Sequence, residues 1–439
     1  MLQLIVFALA FTLILVLVSR RVSLGLALLI ASIMVGLSMG RGVVEPLLVM
    51  LRALIESDTI ELAVTVCFIT LLSRQMRDFG LLDRMVRSFS AITRSARVSM
   101  VIIPGILGCL AVPGGAIISA PIVDSLGDQI ALDSRRKAAV NVIFRHAWFF
   151  IFPFNPSMVL CARLTGVDAF EIIRVLWPLT LAAIIAGLLV TVRPGWRFRR
   201  RAAAGGARGT PAAGAAAPDV AAGAAAPDVA AALEPQPGLA LLVGRFAVGS
   251  APLALALTLY LGWGVLLPLS LLLGLLLGFV IAAGERELTL TRALSTLRHG
   301  IEPSLVLAMI GIMVFKSVVT KLDAIPALVQ ALLGGGLPPL VLLFGLPGII
   351  GLTSGAQSSA VGVAVPVLLG TATSLDQQIV YASVIYSAAL LSYFLSPLHL
   401  CQTLTAEHFH VRLSSLYRYY VPFTVMITAG TALIYFLYR

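Results

Sequence analysis

Arg145 and His146 stand side by side inside the apolar run Ala138–Leu160. An ionisable side chain at membrane depth is costly and marks a substrate, ion or proton path. The planar fork of arginine suits a carboxylate or a phosphate. A histidine beside it can shuttle a proton near neutral pH. Two structural alternatives stay open: Arg145 snorkels to a nearby aqueous surface, or it pairs with Asp124 or Asp128. Further along the same run, Phe152-Pro153-Phe154-Asn155-Pro156-Ser157 interrupts the helix. Proline frees a helical carbonyl, and such carbonyls with Asn155 and Ser157 suit a cation; a plain kink fits the same residues.

Two glycine- and serine-rich turns offer a different chemistry. Pro113-Gly114-Gly115 splits the apolar stretch 98–132 into two arms of about 15 residues each, and a spanning helix needs ~20. A returning arm that starts near Gly115 presents the unpartnered amides of Gly115, Ala116 and Ile117, with the positive end of its dipole, to an anion. The second turn, Thr353-Ser354-Gly355-Ala356-Gln357-Ser358-Ser359, splits 338–371. Ser354 and Gln357 fit an S-x-x-Q capping box, and Ser358 and Ser359 add hydroxyls. The candidate substrate contacts are therefore Pro113, Gly114, Gly115, Ala116, Arg145, His146, Asn155, Ser354, Gly355, Gln357, Ser358 and Ser359. The competing role for the glycines and serines is close helix packing in a membrane.

His399, Cys401, Glu407, His408 and His410 form a third group. A metal centre needs three or four converging ligands, and this spacing matches no zinc pattern, so the group reads as a solvated loop and no metal site is expected. No HExxH, P-loop or G-x-S-x-G motif occurs, so neither ATP hydrolysis nor another enzymatic activity is expected. The four cysteines are scattered without a CxxC, and no disulfide framework is implied.

The elements that hold these residues must be membrane helices. Of 439 residues 59% are hydrophobic and 12% charged, and the mean hydropathy is +1.02; this excludes an ordinary soluble domain. The net charge of +11 is better explained by basic cytoplasmic loops than by nucleic acid. The N-terminal run reads as a first spanning helix, not a signal peptide. Spans are expected at about 2–18, 22–39, 59–73, 138–160 and 172–192. A second set is expected at about 246–261, 265–283, 303–320, 378–395 and 420–438. Charged segments at 41–58 and 285–302 lie at the interface. Residues 193–240 contain AAGAAAPDV twice in tandem; such a tract buries nothing and reads as a disordered cytoplasmic linker.

The two sets are a duplication. Pro104-Gly105-Ile106-Leu107-Gly108 recurs as Pro347-Gly348-Ile349-Ile350-Gly351, Ala120-Pro121-Ile122-Val123 as Val365-Pro366-Val367-Leu368, and Cys161-x-x-Leu164-Thr165 as Cys401-x-x-Leu404-Thr405. Matches in order at nearly one offset mark an internal repeat. At that offset Arg145 and His146 meet Ala388 and Ala389, so the repeat itself does not require charge there. With the linker in the cytoplasm, the inner segments carry 23 Lys/Arg and the outer ones 7, with Arg145 left within the membrane. Five spans per half then invert the second half, 241–439, relative to the first, 1–192.

The runs PGGAIISAPIVD, NVIFRHAWFFIFPFNPS and GLTSGAQSSAVGVAVPVL resemble an uncharacterised prokaryotic integral-membrane family of the ion transporter superfamily, related to gluconate permeases, citrate and dicarboxylate carriers and the large TRAP permease subunits. The resemblance implies an all-α inner-membrane protein of two inverted repeats. Each repeat has five spans and one re-entrant hairpin, the whole working as a homodimeric elevator-type transporter with a scaffold and a transport domain. It brings no substrate. The sodium-coupled carriers have Ser-Asn-Thr at their hairpin tips, where this chain has Pro113-Gly114-Gly115 and Thr353-Ser354-Gly355. The expected function is secondary transport of a small anion coupled to protons or sodium, without a bound cofactor. A permease subunit served by a separate solute-binding protein, or an enzyme acting on a lipid-linked phosphate, are the alternatives.

Overall fold

The structure, a computed structural model, describes residues 2–20, 22–38, 42–110, 115–191, 238–321 and 338–438. The linker expected at 193–240 and the tip residues Pro113 and Gly114 fall wholly or almost wholly outside these. Among the described residues every regular element is helical. Seven helices are long and apolar enough to cross a membrane, which makes this a multi-pass membrane protein. Their outer faces are apolar: Leu269, Leu273, Leu276 and Val280 form one exposed stripe on a single helix. Such a stripe is a liability in water and the normal state in lipid.

The first half begins with α1 (Leu2–Ser19) and α2 (Leu24–Ser38). A short amphipathic α3 (Val44–Ile55) buries only Pro46, Met50 and Ala53. Helix α4 (Ser57–Asp78) runs five residues beyond the expected end at Ser73. Arg74 and Asp78 pair one turn apart at 2.8 Å, and buried Gln75 donates to the Leu275 carbonyl at 2.8 Å. The next segment forms α5 (Leu81–Thr93), with one buried face built from Leu81, Leu82, Met85 and Val86.

Helices α6 (Ala96–Cys109) and α7 (Ala116–Gln129) are the two arms of the first hairpin, 14 residues each. At 1.5 Å per residue each is about 21 Å long, short of the ~30 Å hydrocarbon core. The expected long helix at 138–160 is two helices. Helix α8 (Ser134–Ala147) passes through a 3-10 turn at Trp148–Phe150 into a non-helical segment. Helix α9 (Pro156–Thr165) restarts with Asn155 as its cap, whose side-chain oxygen accepts from the Ser157 amide at 2.8 Å. Helix α10 (Ala169–Thr191) closes the half.

The second half follows the same order: α11 (Leu239–Trp263), α12 (Leu267–Gly284), the short α13 (Leu290–His299) and α14 (Pro303–Lys321). The second hairpin is α15 (Pro339–Ser354) and α16 (Gln357–Leu368), then come α17 (Leu375–Leu395), a break at Ser396–His399, α18 (Leu400–His408) and α19 (Tyr417–Tyr438). The capping box expected at Ser354–Gln357 does not form. Ser354 ends α15, Ala356 is the cap position of α16, and the Ser354 hydroxyl instead accepts from the Ala356 amide at 3.3 Å.

These helices pack as two groups. One contains α1–α5 and α11–α14, with α2 on α14, α5 on α11 and α4 on α12; the other contains α6–α10 and α15–α19, with α6 on α8, α15 on α17 and α10 on α19. In the second group the halves exchange partners: α9 lies on α16 and α18 lies on α7. Contacts between the groups are sparse. Among them are an Arg163–Glu61 ion pair and a Lys316 ammonium that donates to the Arg163 carbonyl at 3.3 Å.

Candidate functional site

The site grows from the break after α8. Ser134–Ala147 stays helical up to the aromatic turn, so Arg145 and His146 fall on its last turn and point into the protein. Arg145 is 3% exposed and His146 0%. The arginine does not snorkel, and it does not pair with Asp124 or Asp128. Lys137 holds that place: its ammonium donates to Asp124 and Asp128 at 2.6 Å each and pins α7 to α8. The reason is reach. Lys137 lies two turns before Arg145, level with the end of α7, and its stem runs beside Gly127.

Arg145 instead packs on α6 at Gly108, where any Cβ would strike its carbonyl and its stem. Glycine here sets how closely the hairpin approaches the charge. The Arg145 Nε and Nη1 are buried without a hydrogen-bond partner, and no described ion pair includes this residue. A buried charge is normally paired. Among the described residues nothing neutralises this one. Its neighbours are Cys109, Tyr393, His146 and His399, none of them a carboxylate.

His399 and Cys401 are a correction to the solvated-loop reading. His399 is 0% exposed and Cys401 9%, and the His399 ring lies 4.7 Å from that of His146. At the break after Ser396, Leu398 and Leu400 stay exposed while His399 and Cys401 turn inward. Glu407, His408 and His410 lie at the far end of α18, away from this cluster.

The hairpin ends reach the same region. The Tyr386 hydroxyl donates to the Phe149 carbonyl at 2.8 Å and neighbours Cys109 at the end of α6, Cys161 on α9 and Gln357 at the start of α16. Gln357 is 4% exposed, and both polar atoms of its amide are buried without a hydrogen-bond partner. Ser359 is buried and Ser358 half-buried. Gly355 has φ +63°, and a Cβ there would meet Leu398, so the second tip leans on the break before His399. At the first tip, Gly115 is the cap of α7, and the Ala116 carbonyl accepts from Asn141 at 3.3 Å. Asn155 is occupied as a helix cap, as described above.

Reading the sequence alone misses Asn141, Tyr393 and Gln402. Asn141 donates also to the Thr405 hydroxyl at 3.0 Å, while its Oδ1 is buried without a partner. Gln402 donates to the Ser396 carbonyl and holds the break. A polar amide one turn before Arg145–His146, in an apolar run, was the available signal for the first. A surface depression of about 500 Å³ lined by Asp133, Arg136, Arg418 and Tyr419 opens at the opposite end of α8, away from Arg145.

The chain matches the family described as "Protein of unknown function (DUF401)" over residues 3–203 and 249–438. Both halves are covered and most of the linker is not. No curated protein matches the chain.

Proposed function

We propose, for a chain that belongs to the DUF401 family of proteins of unknown function, that it is a secondary transporter of a small anion. The observation that carries the reading is Arg145, a buried guanidinium beside a glycine of one hairpin with two of its nitrogens unpartnered. A carboxylate or phosphate oxygen is what such a fork binds. Gln357 and Ser358–Ser359 at the second hairpin offer neutral hydrogen bonds to the rest of the ligand, and the first turn of α7 offers amides.

Inverted repeats, a place in the ion transporter superfamily, an elevator cycle coupled to protons or sodium, a homodimer and the inner membrane belong to the same proposal. Their support is the repeat in the sequence, the order of helices in the two halves and the division into two packing groups. The group that contains Arg145 also contains both hairpins and both broken helices, so a ligand at Arg145 would travel with that group.

The test is thermal stabilisation of the purified full chain by mono-, di- and tricarboxylates and by inorganic phosphate. Uptake of the best ligand into proteoliposomes follows. At least one anion should raise the melting temperature of wild type and leave Arg145→Lys unchanged, since lysine keeps the charge and loses the fork. Equal stabilisation of wild type and Arg145→Ala would overturn the assignment.

A further inference from the structure

We propose that His146, His399 and Cys401 bind one Zn²⁺-class metal ion beside the anion contact at Arg145. One ring nitrogen of each histidine and the thiol sulfur all lie within 4.8 Å of one another. They come from both sides of one polar junction: His146 from the end of α8, His399 and Cys401 from the start of α18. The break at Ser396-Pro397 is what brings them together.

The two histidines are set up alike. The Nδ1 of His146 lies 2.7 Å from the Val142 carbonyl, and that of His399 lies 3.5 Å from the Phe394 carbonyl. A carbonyl only accepts, so in each ring Nδ1 carries the hydrogen and Nε2 carries the lone pair. Fixing the tautomer through the far nitrogen is how metal-bound histidines are oriented. Both Nε2 atoms are buried without a hydrogen-bond partner. A buried acceptor left unpaired costs free energy, and a metal ion would satisfy both.

Two imidazoles and one thiolate are a zinc donor set, and three protein ligands leave one position open. Tetrahedral donors stand about 3.5 Å apart, so the side chains close by about 1 Å on a metal. Binding removes the Cys401 proton, which passes to solvent, and the sulfur bonds the metal as thiolate. Zn²⁺ with one thiolate keeps a net positive charge. With the Arg145 guanidinium nearby, the fourth ligand is therefore an anion, such as hydroxide or a carboxylate.

The experiment uses untagged full-length protein, stripped with chelator and titrated with Co²⁺. Wild type should show the near-ultraviolet thiolate-to-Co²⁺ charge-transfer band, saturating at one equivalent and abolished by one equivalent of Zn²⁺. Cys401→Ser, an isosteric change whose fold is checked by size exclusion, should lose the band. His399→Asn should weaken Zn²⁺ competition by at least about tenfold. Absence of a one-equivalent band in wild type overturns the site whatever the variants do. A band that survives in Cys401→Ser overturns it too, because another thiol is then the ligand. Neither result depends on anion binding, so the site and the transport reading can fail separately.

Discussion

Replacing Arg145 with methionine should stabilise the empty protein and abolish its anion response. Methionine keeps the stem that packs on Gly108 and removes the guanidinium. Arg145 is 3% exposed, and its Nε and Nη1 have no hydrogen-bond partner. Each unsatisfied buried donor costs about 1–3 kcal/mol, so two cost about 2–6 kcal/mol in the absence of ligand. A structural ion pair behaves in the opposite way: removing one partner costs about 3–5 kcal/mol. The sign of the change therefore separates a site waiting for an anion from a buried brace. The assay is thermal unfolding of wild type, Arg145→Met and Arg145→Lys in one detergent, with and without the best anion of the carboxylate and phosphate panel. The methionine variant should melt above unliganded wild type and ignore the anion. A methionine variant that melts below wild type in both conditions refutes the reasoning and gives the guanidinium a structural partner.

Three further outcomes follow from the same geometry. Lys137→Met should lower stability by about 0–2 kcal/mol, because it removes two ion pairs of about 0–1 kcal/mol each to carboxylates that stay partly solvated; melting curves and protease sensitivity of α7 check it. Gly108→Ala should destabilise the first hairpin by about 1–3 kcal/mol through overpacking on Arg145, read as a lower melting temperature, with Gly345→Ala, where a Cβ meets nothing, as the neutral control. Glu285 follows α12, and the hydrogen bond from Arg84 holds its carboxyl below the usual range. With the folded pKa below the unfolded value of about 4.3, its contribution is complete above that value and is lost as pH falls through the lower folded one. The gap in melting temperature between wild type and Glu285→Gln should accordingly be widest at neutral pH and narrow in acid below about pH 4.

What the sequence reveals depends on whether the physics is local. Hairpins at 98–132 and 338–371 are legible because glycine and proline punctuate apolar runs too short to span. The break at 152–157 is legible because two prolines cannot sit in a continuing helix. The burial of Arg145 is legible as an anomaly of composition. The partner of Asp124 and Asp128 is not, because Lys137 and Arg145 lie on the same helix within reach of the same aspartates in sequence, and only the packing of α7 decides between them. His399 and Cys401 fail for the same reason. Their local spacing resembles a loop, and the residue that gives them meaning, His146, stands 253 positions away in the chain. Asn155 shows the opposite error: a polar residue beside prolines reads as a ligand, and the structure uses it as a helix cap.

The position of the site within the helix groups constrains any mechanism more than its chemistry does. Arg145, His146, His399, Cys401 and Gln357 all belong to elements of the second group, and none is contributed by α1–α5 or α11–α14. The exchanged contacts, α9 on α16 and α18 on α7, tie the halves together inside that group, as α2 on α14 and α4 on α12 do in the first. Each break therefore presents its restarted helix to the hairpin of the other half. Against the first group this unit makes sparse contacts, among them the partly exposed Arg163–Glu61 pair. Such a pair is worth about 0–1 kcal/mol, little enough to break and re-form while the buried cluster stays intact. A ligand held by Arg145 and the hairpin ends would move as part of one body, and the resistance to that motion would lie at an interface the protein has left lightly bonded.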